Sequence, residues 1–284
     1  MEPALGIIAG SGPLPAQVAR AAQAAGQRVF IIGLEGHAEP DLIAPFPHAF
    51  LRFGAAVRIL SLLKEQGCKD LVLVGPVKRP SFRDMRPDGE GLKLLARIGK
   101  AAFMGDDGLL KAVIRVFSEE GFRVRGAHEI LGGLIGRTGL MTRAAPDDQA
   151  QADIQRGVAV CRALGQADVG QGCVVQQGIV LAVEATEGTD AMLGRCGALA
   201  WSGPGGVLVK LVKPGQERRA DLPTIGEQTV RGALAAGLRG IAFEAGGTLI
   251  IERDQMVAAA DAAGFFVIGL GPEALNARPL SARN

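Results

Sequence analysis

Cysteine is scarce in this sequence and wrongly spaced for metal chemistry: Cys68, Cys161, Cys173 and Cys196 lie far apart, with no C-x-x-C pair. Scattered thiols of this kind argue against zinc and fit free cysteines in a reducing compartment. No run of about 18 apolar residues occurs, so no membrane span is expected. The opening MEPALGIIAG has neither a basic n-region nor a cleavable apolar stretch, and a cytoplasmic chain is expected from it. Charge of one sign is lacking too: 31 Lys and Arg against 29 Asp and Glu leave a formal +2, too little to argue for a nucleic-acid partner. Repeats and low-complexity segments are absent.

What is present is an ordinary globular balance, 48% hydrophobic and 21% charged over 284 residues, enough for two domains with a core each. An apolar run at 5–8, the glycine turn Gly10-Ser11-Gly12-Pro13 and an alanine-rich stretch at 16–25 predict strand, turn and helix. A strand at 29–34, a helix at 55–66 and a strand at 71–74 continue the alternation, which predicts a parallel sheet covered by helices. Two more helices are expected at 92–103 and 109–120, separated by Gly105-Asp106-Asp107-Gly108. After Gly121 the chain changes character through a glycine-rich stretch, and a junction is expected there. The expected organisation is an N-terminal Rossmann-like α/β domain over 1–128, a linker over 129–145 and a C-terminal α/β catalytic domain over 146–284. In the second domain Asp147 is placed to cap a helix running to about 164, and strands and helices alternate again to the strand at 266–270.

The turn from Gly10 to Pro13 brings backbone N–H groups to a helix start, where a phosphate or sugar phosphate can be held, with the Ser11 hydroxyl as a further donor. Pro15 stands where a dinucleotide fingerprint has its third glycine, so a nicotinamide-dependent oxidoreductase remains only as an alternative. Asp106 and Asp107 read either as a helix cap or as oxygen ligands for a hard cation. His128 is one of three histidines, and a lone histidine is more often structural than functional.

Two stretches carry most of the chemistry. "VEATEGTDAM" puts Glu184, Glu187 and Asp190 directly behind an apolar run, and their mutual repulsion has to be relieved by water, backbone N–H groups or a cation. "KLVKPGQERRADLPTIG" carries Lys210, Lys213, Gln216, Glu217, Arg219 and Asp221. If 216–222 is extended, Glu217, Arg219 and Asp221 share one face, which a solvated, self-paired edge would also explain. Carboxylates and cations converging at strand ends suit pyrophosphate chemistry, in which Glu184 and Asp221 could share a Mg2+ and lysines hold the oxygens.

Taken in order, "GIIAGSGPLP", "GDDGLL", "GAHEIL", "DVGQGCVV", "AVEATEGTDAML" and "DLPTIGEQTV" resemble the UDP-2,3-diacylglucosamine pyrophosphatases of the LpxI type, from lipid A biosynthesis, over nearly the whole chain. The stretch "GALAWSGPGG" from Gly197 matches little. The resemblance implies a Mg2+-dependent hydrolase with two α/β domains that cleaves UDP-2,3-diacylglucosamine to UMP and 2,3-diacylglucosamine 1-phosphate, lipid X. It implies that Asp221 is the key catalytic acid, as metal ligand or as general base. Glu184 and Lys210 join Asp221 as catalytic candidates, and Asp221, Glu184 and Asp190 are the metal candidates. Candidate substrate-binding residues are Gly10, Ser11, Gly12, Pro13, Asp106, Asp107, His128, Gln171, Gly188, Thr189, Lys213, Gln216, Arg219 and Thr224. The implied partner is a small amphiphile, with peripheral contact at the inner face of the inner membrane and a homodimer both compatible with it. A nucleotide-sugar or lipid-binding module without catalysis is the non-enzymatic alternative.

Overall fold

The computed structural model describes residues 3–77 and 105–276, with no side-chain description for 105–107; the helix expected at 92–103 lies outside the described residues. The chain divides into two compact units, Met1–Gly132 with Glu217–Asp221, and Gly133–Gln216 with Leu222–Asn284.

In the first unit the elements run β1 (Ala4–Ala9), α1 (Leu14–Ala24), β2 (Val29–Leu34), α2 (Pro40–Ile43), β3 (His48–Leu51), α3 (Ala56–Glu65), β4 (Cys68–Val74), α4 (Gly105–Glu119), β5 (Arg123–Arg125) and α5 (Ala127–Ile130). The strands form one sheet in the order β3-β2-β1-β4-β5 with all pairs parallel, the doubly wound pattern expected from the alternation. β1 and β2 are buried along their whole length, because helices cover both faces of the sheet. Alternate residues therefore serve different cores. Leu5, Ile7, Val29 and Ile31 pack with α1 residues Val18 and Ala19. Ile8, Phe30, Ile32 and Leu71 pack with Leu63 of α3 and Ile114 and Phe117 of α4, and Ala220 lies against this cluster. Asp106 and Asp107 fall within α4 as described, Gly105–Glu119. On β4, Asp70 accepts from Arg123 Nε and Nη2 at 2.8 and 2.6 Å, and Arg125 Nη1 adds a third donor at 3.4 Å. The Arg123 hydrogen bonds hold the Asp70 carboxyl below its usual range, against the opposing effect of burial.

The second unit contains β6 (Gly139–Leu140), α6 (Asp148–Gln166), β7 (Gly172–Gln176), β8 (Ile179–Val183), α7 (Gly188–Cys196), β9 (Val207–Lys210), β10 (Thr224–Ile225), α8 (Glu227–Ala235), β11 (Gly240–Glu244), β12 (Leu249–Ile250), α9 (Arg253–Ala262), β13 (Phe266–Leu270) and α10 (Pro272–Asn276). Its main sheet has the order β6-β13-β11-β9-β7-β8. β13, β11 and β9 are parallel, whereas β6, β7 and β8 run antiparallel to their neighbours. β10 and β12 form a separate parallel pair. One face of the main sheet buries Leu208, Ile241, Phe243 and Val267 with Met192 and Leu193 of α7 and Val230 of α8. The other buries Val207, Val209 and Phe266 with Ile154 and Val158 of α6. α6 begins as the sequence predicts: the Asp147 carboxylate accepts from the Ala150 N–H at 2.8 Å.

The β7–β8 hairpin places Gln177 and Gly178 at φ 51° and 79°, the left-handed pair that a tight two-residue turn demands. Asp153 of α6 anchors that turn. Its carboxylate is fully buried and accepts from the N–H groups of Gln177 and Gly178 at 3.1 and 2.7 Å. None of the described helices is long and apolar enough to cross a membrane. All four cysteines are buried free thiols.

Two outcomes are expected. Asp153→Ala removes the acceptor of both turn N–H groups and lowers unfolding free energy by about 2 kcal/mol, read by urea denaturation. Asp70 has a depressed folded-state pKa, so its stabilisation is present above the ordinary carboxylate range and is lost as pH falls through the folded value. The stability gap between wild type and Asp70→Asn should therefore be open at pH 7 and narrow as pH falls below the ordinary carboxylate range; a gap that stays unchanged on acidification contradicts the account.

Candidate functional site

Three strand ends of the second unit meet at one polar cluster. Lys210 closes β9, Glu184 follows β8 directly, and Gly172 opens β7 between them, its register partner being Lys210. The Glu184 N–H donates to the Gly172 carbonyl at 2.8 Å. This is the carboxyl end of β8 and β9, the end of an α/β sheet at which ligands bind.

Glu184 and Lys210 are both buried, at 6% and 4% exposure, deep enough that each needs a partner. Thr189, in the first turn of α7, supplies it. Its hydroxyl donates to Glu184 Oε1 at 3.0 Å and accepts from Lys210 Nζ at 2.8 Å. Lys210 Nζ also donates to the Thr224 carbonyl at 3.3 Å, tying the ammonium to the D-L-P-T-I-G segment. The second carboxylate oxygen, Glu184 Oε2, is sealed from solvent without a hydrogen-bond partner. A Cβ at Gly172 would stand 2.5 Å from that oxygen, and one at Gly170 would stand 2.0 Å from the Glu184 carbonyl oxygen. The two glycines of "DVGQGCVV" are thus the floor on which Glu184 rests. Gly188, at φ 80°, makes the turn that starts α7.

The crowding of acids behind β8 is resolved one residue at a time. Glu184 is met by Thr189, and Glu187 by Arg195 Nη2 at 2.7 Å, which holds the Glu187 carboxyl below its usual range. Asp190 is exposed in the first turn of α7. Among the described residues no three His, Cys, Asp or Glu side chains gather where they could hold a metal ion. Glu184 also suits a dication poorly, because its only open oxygen is sealed and an ammonium lies one hydroxyl away. Mg2+ does not require a cage: it takes one or two carboxylates and fills its octahedron with substrate oxygens and water.

A second string of contacts gathers three of the predicted substrate residues. Gln216 donates to Gln171 Oε1 at 3.1 Å and accepts from the Lys213 N–H at 2.8 Å, and Lys213 Nζ pairs with Asp168 at 2.7 Å. The stretch 216–222 is not extended. The Glu217 carbonyl accepts from the N–H groups of Ala220 and Asp221 at 3.1 and 2.9 Å, so the chain turns. Glu217, Arg219 and Asp221 therefore do not alternate along a strand. Arg219 instead forms a two-point pair with Glu217 at 2.8 Å per contact, and its hydrogen bonds hold the Glu217 carboxyl below its usual range. Asp221 is half-buried at the last position of this turn, and the boundary between the two units falls directly after it.

The glycine turn after β1 has its donors in use. Gly10 N–H and Ser11 N–H donate to the Val74 and Pro76 carbonyls at 2.9 Å each, and the Ser11 hydroxyl donates to Pro76 at 3.0 Å. The Gly12 N–H, just ahead of Pro13 and α1, donates to both oxygens of Glu39 at 3.1 and 2.9 Å. A carboxylate of the chain thus stands where the sequence places a phosphate. His128 is half-buried in α5 with its ring folded over Gly126, where a Cβ would clash with it. Sequence reasoning missed Glu39, Asp168 and Glu244, the last at the carboxyl end of β11, where it accepts from the Val212 N–H at 3.1 Å. An acid ending an apolar run just before Gly246-Gly247 was the available signal for Glu244.

Two α/β units, one bearing a buried acid–hydroxyl–ammonium chain at its strand ends, define an α/β protein with a preformed polar site. The N-terminal domain of LpxI matches residues 4–134 and the C-terminal domain of LpxI matches residues 137–268. A Caulobacter vibrioides protein named UDP-2,3-diacylglucosamine pyrophosphatase LpxI is 43% identical over 275 residues, covering 95% of this chain and 98% of that one. The chain belongs to the LpxI family. Among solved structures, the biotin carboxylase domain of a thermophilic 2-oxoglutarate carboxylase aligns at 13% identity over 60% of this chain and 34% of that one, with a TM-score of 0.25. An N5-carboxyaminoimidazole synthetase from Staphylococcus aureus gives 15% identity, 65% and 42% coverage and a TM-score of 0.24. Neither likeness carries an argument.

The polar cluster makes its own prediction. Lys210→Met alone leaves Glu184 buried without its cation and should cost about 3 kcal/mol. Adding Glu184→Gln should recover most of that loss, so the two effects are far from additive in denaturant titrations.

Proposed function

We propose that this protein hydrolyses the pyrophosphate bond of UDP-2,3-diacylglucosamine in a Mg2+-dependent reaction, releasing UMP and 2,3-diacylglucosamine 1-phosphate. The observation that carries this is the near full-length match, 43% identity over 95% of the chain, to the Caulobacter vibrioides relative named for that substrate. The buried ammonium at the strand ends supports it, since a fixed cation is what a charged phosphate group needs for binding and for stabilisation as charge builds on the leaving oxygen.

In the proposed reaction a water oxygen bonds to phosphorus while the anhydride P–O bond breaks, and the water proton leaves to a carboxylate or to solvent. Lys210 holds a phosphate oxygen through the N–H it does not spend on Thr189 and Thr224. Asp221 is the reacting carboxylate, as general base toward the water or as a residue that would hold Mg2+. When bound, Mg2+ neutralises the pyrophosphate oxygens and so lowers the repulsion that an approaching nucleophile meets. The acyl chains make the substrate amphiphilic, and its sugar and phosphates are the part that the polar residues of the site recognise.

The test is UMP release from UDP-2,3-diacylglucosamine by the purified protein, with and without Mg2+, beside Asp221→Ala. The expected result is metal-dependent release by the wild type and a loss of about 1000-fold or more in the folded variant. Full turnover by Asp221→Ala removes that residue from the mechanism, and absence of UMP under every condition removes the reaction.

A further inference from the structure

Lys210 carries three N–H donors, and two of them have acceptors among the described residues, Thr189 Oγ1 and the Thr224 carbonyl. We infer that Thr189 and Glu184 are positioning residues that hold Lys210 as a fixed, charge-compensated cation for a phosphate group, and that Glu184 is not a metal ligand. This rests on the proposed pyrophosphate chemistry and assigns the parts of its cationic side.

The direction of the hydrogen bonds is forced by chemistry. An ammonium has only protons to give, so the Thr189 oxygen accepts from Lys210 and its own single proton goes to Glu184. The hydroxyl thereby transmits the carboxylate charge to the ammonium while keeping the two ions apart. That separation leaves the third N–H of Lys210 for a ligand, which a carboxylate gripping the ammonium directly would compete for. Each link is built in. Glu184 is seated by its N–H on Gly172 and by two side-chain-free glycines, and Thr189 is presented by a helix whose start depends on Gly188 in the left-handed region.

The cluster is poorly explained as scaffolding. Buried ionic groups repay their desolvation only when every polar atom is satisfied, and apolar replacements of the same size are often as stable or more so. Here Glu184 Oε2 is sealed without a partner. The arrangement thus forgoes stability and returns a rigid positive charge at the strand ends. A metal on Glu184 is disfavoured by its charge surroundings: the ammonium one hydroxyl away repels a dication, and Glu184 Oε1 is already engaged by Thr189.

The deciding experiment compares wild type, Glu184→Gln, Thr189→Val, Thr189→Ser and the Glu184→Gln/Thr189→Val pair. Turnover is measured against Mg2+ concentration, binding of inorganic pyrophosphate by calorimetry, and folding by circular dichroism. Glu184→Gln and Thr189→Val should each lower kcat about 10- to 100-fold, the size of a lost hydrogen bond to a charged group. Half-saturating Mg2+ should stay within about twofold of wild type, and the double variant should fall little below the worse single one. Thr189→Ser, which keeps the hydroxyl, should restore turnover and pyrophosphate binding to within about threefold of wild type. A rise of about tenfold in half-saturating Mg2+ for Glu184→Gln, with kcat recovered at saturation, would make Glu184 a ligand and overturn the inference. Wild-type turnover and pyrophosphate affinity in Thr189→Val would overturn it as well. If the wild type releases no UMP, the proposed activity fails by itself, and the pyrophosphate-binding series then decides: weakened binding in Thr189→Val with recovery in Thr189→Ser upholds the positioning role, and unchanged binding ends it.

Discussion

A buried ammonium at the end of β9 constrains much of the second unit. Lys210 at 4% exposure cannot remain charged without nearby acceptors, and the structure meets that need through Thr189, Glu184 and the Thr224 carbonyl. Those acceptors in turn require a tight turn after β8, a glycine start for α7, two bare glycines at the start of β7, and a short strand, β10, whose carbonyl accepts from the cation. Three separate stretches of the chain, at 168–175, 182–193 and 221–226, are therefore answers to one electrostatic problem. The neighbouring apolar layers, with Val174 and Leu208 fully buried on one face and Val207 and Val209 on the other, supply the rigidity that holds the charges in register.

The long elements were legible in the sequence because each is a continuous apolar run bounded by turn residues. β2, β8 and β13 fall where the pattern puts them, at Val29–Leu34, Ile179–Val183 and Phe266–Leu270. β3, β5, β6 and β10 were not legible: at two to four residues they hold no periodicity, and pairing with a neighbouring strand makes them strands. The error at 216–222 has a specific cause. Acid, base and acid at alternate positions imitate a strand period, but the Glu217 carbonyl captures two later amides and the arginine folds back onto its neighbour. Of the site, Glu184 and Lys210 could be read as charges ending apolar runs. The bridge between them could not, because Thr189 lies 21 positions from Lys210 and only the sheet order brings them together.

The acids of "VEATEGTDAM" show how a local pattern misleads about charge. Read along the chain they form one negative patch that water, backbone N–H groups or a cation has to relieve. In space Arg195, eight positions on, takes Glu187, and Thr189 takes Glu184. The resulting cluster joins an acid to a base through one hydroxyl, so its charges balance within the fold.

Glu39 gives the glycine turn of the first unit a different character from an open phosphate cradle. Its carboxylate already sits on the Gly12 N–H, carried there by its own chain. A tethered group of this kind acts at an effective concentration on the order of millimolar or above, and any free anion has to outcompete it at that level. An anion arriving at this turn would meet an acceptor already in place, and displacing it would take contacts beyond the Gly12 N–H.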